Sequence, residues 1–201
     1  SPGMVKLRLS GTEEDAVHLN HLLDVHIEQL KGIIPEYLVH VGDESLEELL
    51  GQFLASHKFT VSTAESCTGG YIAARMISVS GSSKYFKGSV VAYSNQIKMN
   101  ILGINSRTLA RHGAVSKEVA EEMALGVRKL CQTDYAVAVT GIAGPSGGTK
   151  EKPVGLTWIA VAGRHKTLAN KHHFGSQRGI NIRKATYTAL NMLKKMVFNE
   201  Y

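Results

Sequence analysis

The sequence predicts an α/β protein: a three-layer α/β/α sandwich with a central mixed sheet, preceded by a small α+β module. From Ser45 onward, short apolar runs typical of strands alternate with segments of helical periodicity, which is the pattern of a sheet covered by helices on both faces. Before residue 45, two strand-like runs flank one helical stripe. We therefore predict a strand-helix-strand module over residues 1–44 and a main domain over residues 45–201.

The predicted module begins at residues 4–9, where apolar and basic side chains alternate as in a strand with one covered face. Thr12 is expected to cap a helix, because its hydroxyl can accept a backbone amide and acidic residues follow it. Leucine and isoleucine side chains then recur at helical spacing from Leu19 to Leu30. Tyr37–Val41 is expected to form the second strand.

The elements of the main domain are predicted from their periodicity and their apolar runs. Helices are expected at 46–54, 69–78, 96–101, 106–111, 116–131 and 180–198. Strands are expected at 59–64, 89–93, 135–140, 154–161 and 168–174. The connection between the third and fourth strands, Gly141–Gly155, contains five glycines and two prolines, so it is expected to follow a special backbone path.

Composition limits the classes of function. The chain has 201 residues, of which 43% are hydrophobic and 20% charged, and this balance excludes a disordered protein. A net charge of +6 favours anionic ligands such as phosphate esters or nucleic acid. Two cysteines are too few for a disulfide scaffold, no apolar run approaches the length of a membrane span, and the first residues do not resemble an export signal. We therefore expect a cytoplasmic protein.

The first candidate site follows the predicted strand 59–64, where the motif Ala-Glu-Ser-Cys-Thr-Gly-Gly turns into a helix. Free amides at such a turn can bind a phosphate or stabilise an oxyanion, and Ser66 or Thr68 could act as a nucleophile or a ligand donor. The alternative is that both hydroxyls only cap the helix while Gly69 and Gly70 form the turn. Cys67 is either a thiol nucleophile or a small buried packing residue.

The second candidate site pairs Tyr93 with Lys98, near the end of the next predicted strand. A lysine partly buried beside Ser66 could lose its proton and act as a base. The alternative is a solvated surface lysine and a packing tyrosine. The chain lacks the Gly-x-Gly-x-x-Gly motif of dinucleotide-binding proteins, so hydride transfer is unsupported.

Two further segments could contact a phosphate. The glycine-rich segment that begins at Thr140 follows a buried strand and could surround a ribose phosphate, or it could be only a tight connection. It lacks the Gly-Lys-Ser/Thr ending of a P-loop, which argues against nucleotide triphosphate hydrolysis. Arg178 and Arg183 lie at the entry to the last predicted helix. They could bind a phosphate, or they could be solvated surface side chains. The nine histidines show no metal-ligand spacing, so we expect no metal site.

These motifs, in this order, resemble the carboxy-terminal domain of the competence/damage-inducible CinA family. The resemblance covers residues 45–201 and is carried by the motifs AESCTGG at 64–70, SGSSKYFKGSVVAYSNQIK at 80–98, LGI at 102–104, HGAVS at 112–116 and TGIAGPSGGTKEKPVG at 140–155. Residues 4–42 resemble the linking module that joins this domain to a nucleotide-pyrophosphatase-like domain in full-length members. Ser146 is a departure, because relatives commonly carry Asp there.

The resemblance implies a nicotinamide mononucleotide deamidase, which converts nicotinamide mononucleotide and water to nicotinate mononucleotide and ammonia with no cofactor or metal. It implies that Ser66, Tyr93 and Lys98 form the reacting centre. It implies that the nucleotide pocket is lined by Thr68, Gly69, Gly70, Asn95, Thr140, Gly141, Gly144 and Arg178. A homodimer is also expected from the relatives.

Two alternatives remain at this stage. The positive charge would also suit a non-catalytic regulator that binds nucleic acid or a protein partner. The module lacks the Gly-x-x-Gly loop and the interleaved aromatic residues of single-strand readers, which argues against that hypothesis. The second alternative is phosphate-ester hydrolysis in the same pocket.

Overall fold

The computed structural model describes residues 5–35, 38 and 40–200. The described residues form two compact units, one over Val5–Glu44 and one that begins at Ser45. Among the described helices, none combines the length and apolar character that a crossing of the bilayer requires.

The first unit contains the helix α1, Ala16–Ile33. Asp15 caps this helix by accepting the amides of Val17 and His18, so the expected cap at Thr12 is wrong. Aspartate is the better N-cap residue, and it lies directly before the first helical turn.

Both strands predicted for the first unit need correction. Residues 5–9 are exposed and are not a strand, because alternation favours a strand only where a second strand supplies hydrogen bonds. In the predicted strand Tyr37–Val41, residues 37 and 39 lie outside the described part of the chain. Residues 38, 40 and 41 are not in a strand. The α+β description of this unit is therefore not supported by its described residues, which contain one helix.

The second unit is built on a five-stranded mixed sheet, as predicted. Its strands are β1 Val61–Glu65, β2 Phe86–Val91, β3 Tyr135–Gly141, β4 Leu156–Ala162 and β5 Thr167–His173. Their order in the sheet is β2-β1-β3-β4-β5. β1 runs parallel to both of its neighbours, whereas β3, β4 and β5 are successively antiparallel.

Helices cover both faces of this sheet, which confirms the three-layer prediction. They are α2 Leu46–Ser56, α3 Tyr71–Ile77, α4 Asn95–Leu102, α5 Ser106–His112, α6 Lys117–Cys131 and α7 Arg178–Glu200. The helix α6 packs across all five strands and carries α4 and α5 on its outer side. The helix α7 packs on β3 and β4 in the other layer, together with α2 and α3. A capping box between Ser45 and Glu48 starts α2 at the predicted residue.

Small residues allow the layers to approach closely. Most of the strand residues that share a buried cluster with the apolar side of α6 are alanines, and Val90 and Trp158 pack beside them. Gly126 of α6 meets α4 so closely that an added Cβ would lie 2.1 Å from the carbonyl oxygen of Leu102. These contacts hold α4 in place against α6, which matters because α4 carries Lys98.

The candidate motifs gather at one edge of the sheet. The parallel strands β1, β2 and β3 all end there, and the antiparallel strand β4 begins there. From β1 the chain continues to β2, on one side in the sheet, and from β3 it continues to β4, on the other side. A topological switch point therefore lies between β1 and β3. Ligands of open α/β sheets bind at this kind of position.

Candidate active site

The structure brings Ser66 and Lys98 together. Ser66 is the first residue after β1, and its amide continues the sheet by donating to the carbonyl of Val139 at 2.9 Å. Lys98 lies on α4, which begins after β2 and is capped by the Ser94 hydroxyl. The Lys98 Nζ is 3.0 Å from the Ser66 Oγ, and the two residues are 1% and 9% exposed. The two candidate motifs therefore form one buried pair.

Burial controls the charge of this lysine. The Lys98 Nζ also donates to the carbonyl of Ala92 at 2.6 Å. Within the described part of the chain, no carboxylate forms an ion pair with Lys98, so its desolvation is not offset by an opposite charge. Desolvation lowers the pKa of Lys98 from its ordinary value of 10.5, opposed by a smaller effect of Cys67. In the structure the Lys98 Nζ donates to the Ser66 Oγ, and in its neutral form the amine can instead accept the hydroxyl proton.

Glu65, which the sequence analysis did not single out, organises the turn that carries Ser66. Its side chain is fully buried at the end of β1. One carboxylate oxygen accepts the amides of Gly70 and Ile72, both at 3.0 Å, and the other accepts the amide of Ala73 at 2.8 Å. The expectation that these helix-start amides are free to bind phosphate is therefore wrong. The one signal in the sequence was an acidic residue just before the glycine turn.

Two amides remain available in this turn. Gly69 donates to the carbonyl of Ser66, and Tyr71 donates to that of Thr68. Over the described residues, neither the Cys67 amide nor the Thr68 amide donates to a backbone carbonyl, and the Cys67 amide interacts with its own thiol. The turn is possible because Gly69 and Gly70 have φ values of 61° and 101°. Two backbone donors thus directly follow the candidate nucleophile.

The side chains of Cys67 and Thr68 are both buried. Burial raises the pKa of the Cys67 thiol to about 12, so this cysteine is a neutral thiol near pH 7 and a poor nucleophile. The Thr68 hydroxyl has no hydrogen-bond partner within the described residues, although the residue is only 2% exposed. Of the two hydroxyls proposed for this motif, the one on Ser66 contacts Lys98.

Tyr93 and Arg178 form a second group. Arg178, the first residue of α7, donates to the Tyr93 hydroxyl at 3.2 Å and to the carbonyl of Gly144 at 2.9 Å. Tyr93 is 62% exposed, and no hydrogen bond in the described structure joins it to Ser66 or Lys98. Asn95 is also exposed, at the first position of α4.

The glycine-rich connection is anchored at several points. At its start, the buried Thr140 hydroxyl donates to the carbonyl of Ala114. Gly144 has a φ of 86°, and a Cβ there would lie 2.4 Å from the side chain of Val154, so only glycine fits. The buried Asn181 amide donates to the carbonyls of Ala143 and Gly175, a contact that the sequence did not indicate.

The remaining candidate residues of this edge differ in burial. Gly141 is half-buried, and an added Cβ would lie 3.1 Å from the Cys67 Sγ. Arg183 and Ser146 are exposed. In the part of the chain that the structure describes, no group of three histidine, cysteine, aspartate or glutamate side chains is positioned to hold a metal ion.

Comparisons with known proteins agree with this architecture. The model of the family described as "CinA C-terminal domain" matches residues 43–197. A CinA-like protein from Endomicrobium trichonymphae is 46% identical over 202 residues, covering 98% of this chain and 46% of the relative. A CinA-like protein from Flavobacterium psychrophilum is 43% identical, with coverage of 100% and 48%. The chain thus spans about half the length of these curated relatives.

Solved structures match the same region. The competence/damage inducible protein CihA from Agrobacterium tumefaciens is 38% identical with a TM-score of 0.70, covering 78% of this chain and 99% of that chain. The competence damage-inducible protein A from Klebsiella pneumoniae subsp. pneumoniae is 32% identical with a TM-score of 0.74, and coverage is 79% and 100%. With a family model over most of its length, this chain belongs to the CinA family.

Proposed function

We propose that this protein is an amidohydrolase that converts nicotinamide mononucleotide and water to nicotinate mononucleotide and ammonia. The observation that carries the proposal is the buried contact of 3.0 Å between the Ser66 hydroxyl and the Lys98 amine. A hydroxyl activated by an adjacent neutral amine is a nucleophile suited to an amide carbon. The substrate is the one that the resemblance implies.

The proposed reaction begins with the attack of Ser66 on the carboxamide. The neutral Lys98 amine keeps one N–H on the Ala92 carbonyl and turns its lone pair to the Ser66 hydroxyl, whose oxygen lies 3.0 Å from the Nζ. Lys98 takes the hydroxyl proton while the Ser66 oxygen attacks the carboxamide carbon. The negative charge that forms on the carboxamide oxygen lies next to the amides of Cys67 and Thr68.

The following steps form the ester on Ser66 and release both products. The Lys98 ammonium returns its proton to the carboxamide nitrogen, the carbon–nitrogen bond breaks, and ammonia leaves. A water molecule then gives a proton to Lys98 and attacks the ester carbon. Cleavage of the ester returns that proton to Ser66 and releases nicotinate mononucleotide. Lys98 therefore acts in turn as a base and as an acid.

The 5′-phosphate is proposed to bind on the Arg178 side of the site. Arg178 uses two of its five N–H groups on Tyr93 and Gly144, so three remain for a phosphate. Because Arg178 already donates to the Tyr93 oxygen, the Tyr93 proton is left to donate to the substrate. The other proposed pocket residues are Thr68, Gly69, Gly70, Asn95, Thr140 and Gly141.

Product analysis tests this proposal. The purified chain is incubated with nicotinamide mononucleotide, and nicotinate mononucleotide and ammonia are both measured; we expect equal amounts of each. Nicotinamide riboside is the matched control, and its kcat/KM should be much lower because it lacks the anchoring phosphate. Release of inorganic phosphate would instead indicate ester hydrolysis. Salt-sensitive retention of a labelled oligonucleotide without any product would support the nucleic-acid hypothesis.

The Cys67 thiol is expected to be dispensable. Replacing Cys67 with alanine should leave kcat within about threefold of the original value, because a thiol with a pKa of about 12 supplies almost no thiolate near pH 7. Product formation by the purified variant measures this. A loss of more than about tenfold in a folded variant would show that the thiol takes part in the reaction.

A further inference from the structure

We infer that Glu65 is a positioning residue for the Ser66 nucleophile. This inference rests on the proposed function, because positioning matters only if Ser66 reacts. Glu65 directly precedes Ser66, and its carboxylate holds the backbone on the far side of the turn, at Gly70, Ile72 and Ala73. Ser66 therefore lies between β1 and the start of α3, and the Glu65 side chain connects these two elements.

The backbone of Glu65 also connects to the residues that hold Lys98. Its carbonyl accepts the amide of Ala92 at 2.8 Å, and the carbonyl of Ala92 in turn accepts the Lys98 Nζ at 2.6 Å. Glu65 thus contacts both segments that meet at the reacting pair. A shift of its side chain would move the Ser66 turn relative to a fixed Lys98.

Only a carboxylate matches this arrangement of donors. Within the described residues, Glu65 forms no ion pair, so its buried charge is balanced by the backbone amides and by a longer contact of 3.4 Å from the Thr63 hydroxyl. A glutamine of the same shape would place its NH₂ group against N–H donors. At least one of the three contacts must then be lost, and the turn must move.

A purely structural role for Glu65 can be separated from positioning by a matched control. Glu47 is the second buried glutamate near α3: it is 2% exposed, lies on α2 and binds Arg75 of α3. Both carboxylates therefore hold α3, but only Glu65 contacts the turn that contains Ser66. Loss of either one should affect stability, and loss of Glu65 alone should affect the reaction rate.

The experiment compares Glu65→Gln with Glu47→Gln in the product assay. We expect Glu65→Gln to lower kcat by about 10- to 100-fold with KM changed by less than about threefold, because a displacement near 1 Å of a reacting group costs about this much. Glu47→Gln should keep kcat within about threefold, whatever its melting temperature. An unchanged kcat in Glu65→Gln, or an equal loss in both variants, would contradict the positioning role.

A crystal structure of Glu65→Gln gives a readout that does not need the proposed reaction. We expect the distance between the Ser66 Oγ and the Lys98 Nζ to exceed 3.5 Å, beyond hydrogen-bond reach. A distance that stays at 3.0 Å would overturn the inference even if the enzyme is active. If the original protein forms no nicotinate mononucleotide, the proposed function fails, and this distance alone decides whether Glu65 positions Ser66.

Discussion

Replacing Ser66 with alanine is expected to lower kcat/KM for nicotinamide mononucleotide by about 10³-fold or more, because the variant lacks the proposed nucleophile. The removed oxygen lies 3.0 Å from Lys98 and is nearly buried, so the change deletes few other contacts. Measurement of nicotinate mononucleotide under initial-rate conditions gives the loss. In the original protein, rapid mixing should show ammonia release ahead of nicotinate mononucleotide in the first turnover, as an ester intermediate requires.

Ser78→Ala is the control for this substitution. Ser78 caps the other end of α3 and is exposed, so its loss should leave kcat/KM within about twofold. A Ser66→Ala variant that keeps more than about a tenth of the activity would assign the attack to a water molecule and would contradict the serine mechanism. Circular dichroism and melting temperature confirm that both variants are folded.

Replacing Lys98 with methionine is expected to lower kcat by about 10²–10⁴-fold, the usual contribution of a general base. Lys98→Arg should not restore activity, because a guanidinium keeps its proton and cannot serve as a base. This pair of variants separates a base from a fixed positive charge, which arginine would supply. Substantial activity in Lys98→Arg would contradict the proposed role of Lys98 as a base. Lys171→Met is the control, because Lys171 is exposed on β5.

The pH dependence follows from the lowered pKa of Lys98. The base must be neutral, so kcat should rise with pH through the pKa of the folded protein and then level off. Stability should also increase with pH. Between the folded pKa and the ordinary value of 10.5, the unfolded chain binds more protons at this group, so the free energy of unfolding rises with pH. Denaturation measured across this range gives the free energy of unfolding of the original protein and of Lys98→Met. We expect the value of the original protein minus that of the variant to increase with pH.

The order of elements in the main domain could be predicted because hydrophobic periodicity is a local property. Element ends were less predictable, because partner strands determine them. The strand predicted at Ser89–Tyr93 is Phe86–Val91, since it pairs alongside Val61–Glu65 and stops where that strand stops. Tyr93 therefore lies beyond the sheet, where Arg178 reaches it.

The first unit shows what a local sequence pattern cannot predict. Residues 5–9 alternate correctly but are exposed and are not a strand, because alternation specifies a face and not a hydrogen-bonding partner. The helix-start amides after β1 show the same limit at the site. Their acceptor is the buried Glu65, and because a glutamate is usually solvated, its place before the glycine turn was a weak signal.

The amino-acid sequence was sufficient to identify the family, the mixed sheet with helices on both faces, and the candidate side chains that follow the ends of the strands. Whether those side chains meet was decided by tertiary structure alone. Ser66 and Lys98 are 32 residues apart, and their contact depends on β2 lying next to β1. The same packing removes water from Lys98 and lowers its pKa, because desolvation depends on every layer that surrounds the group.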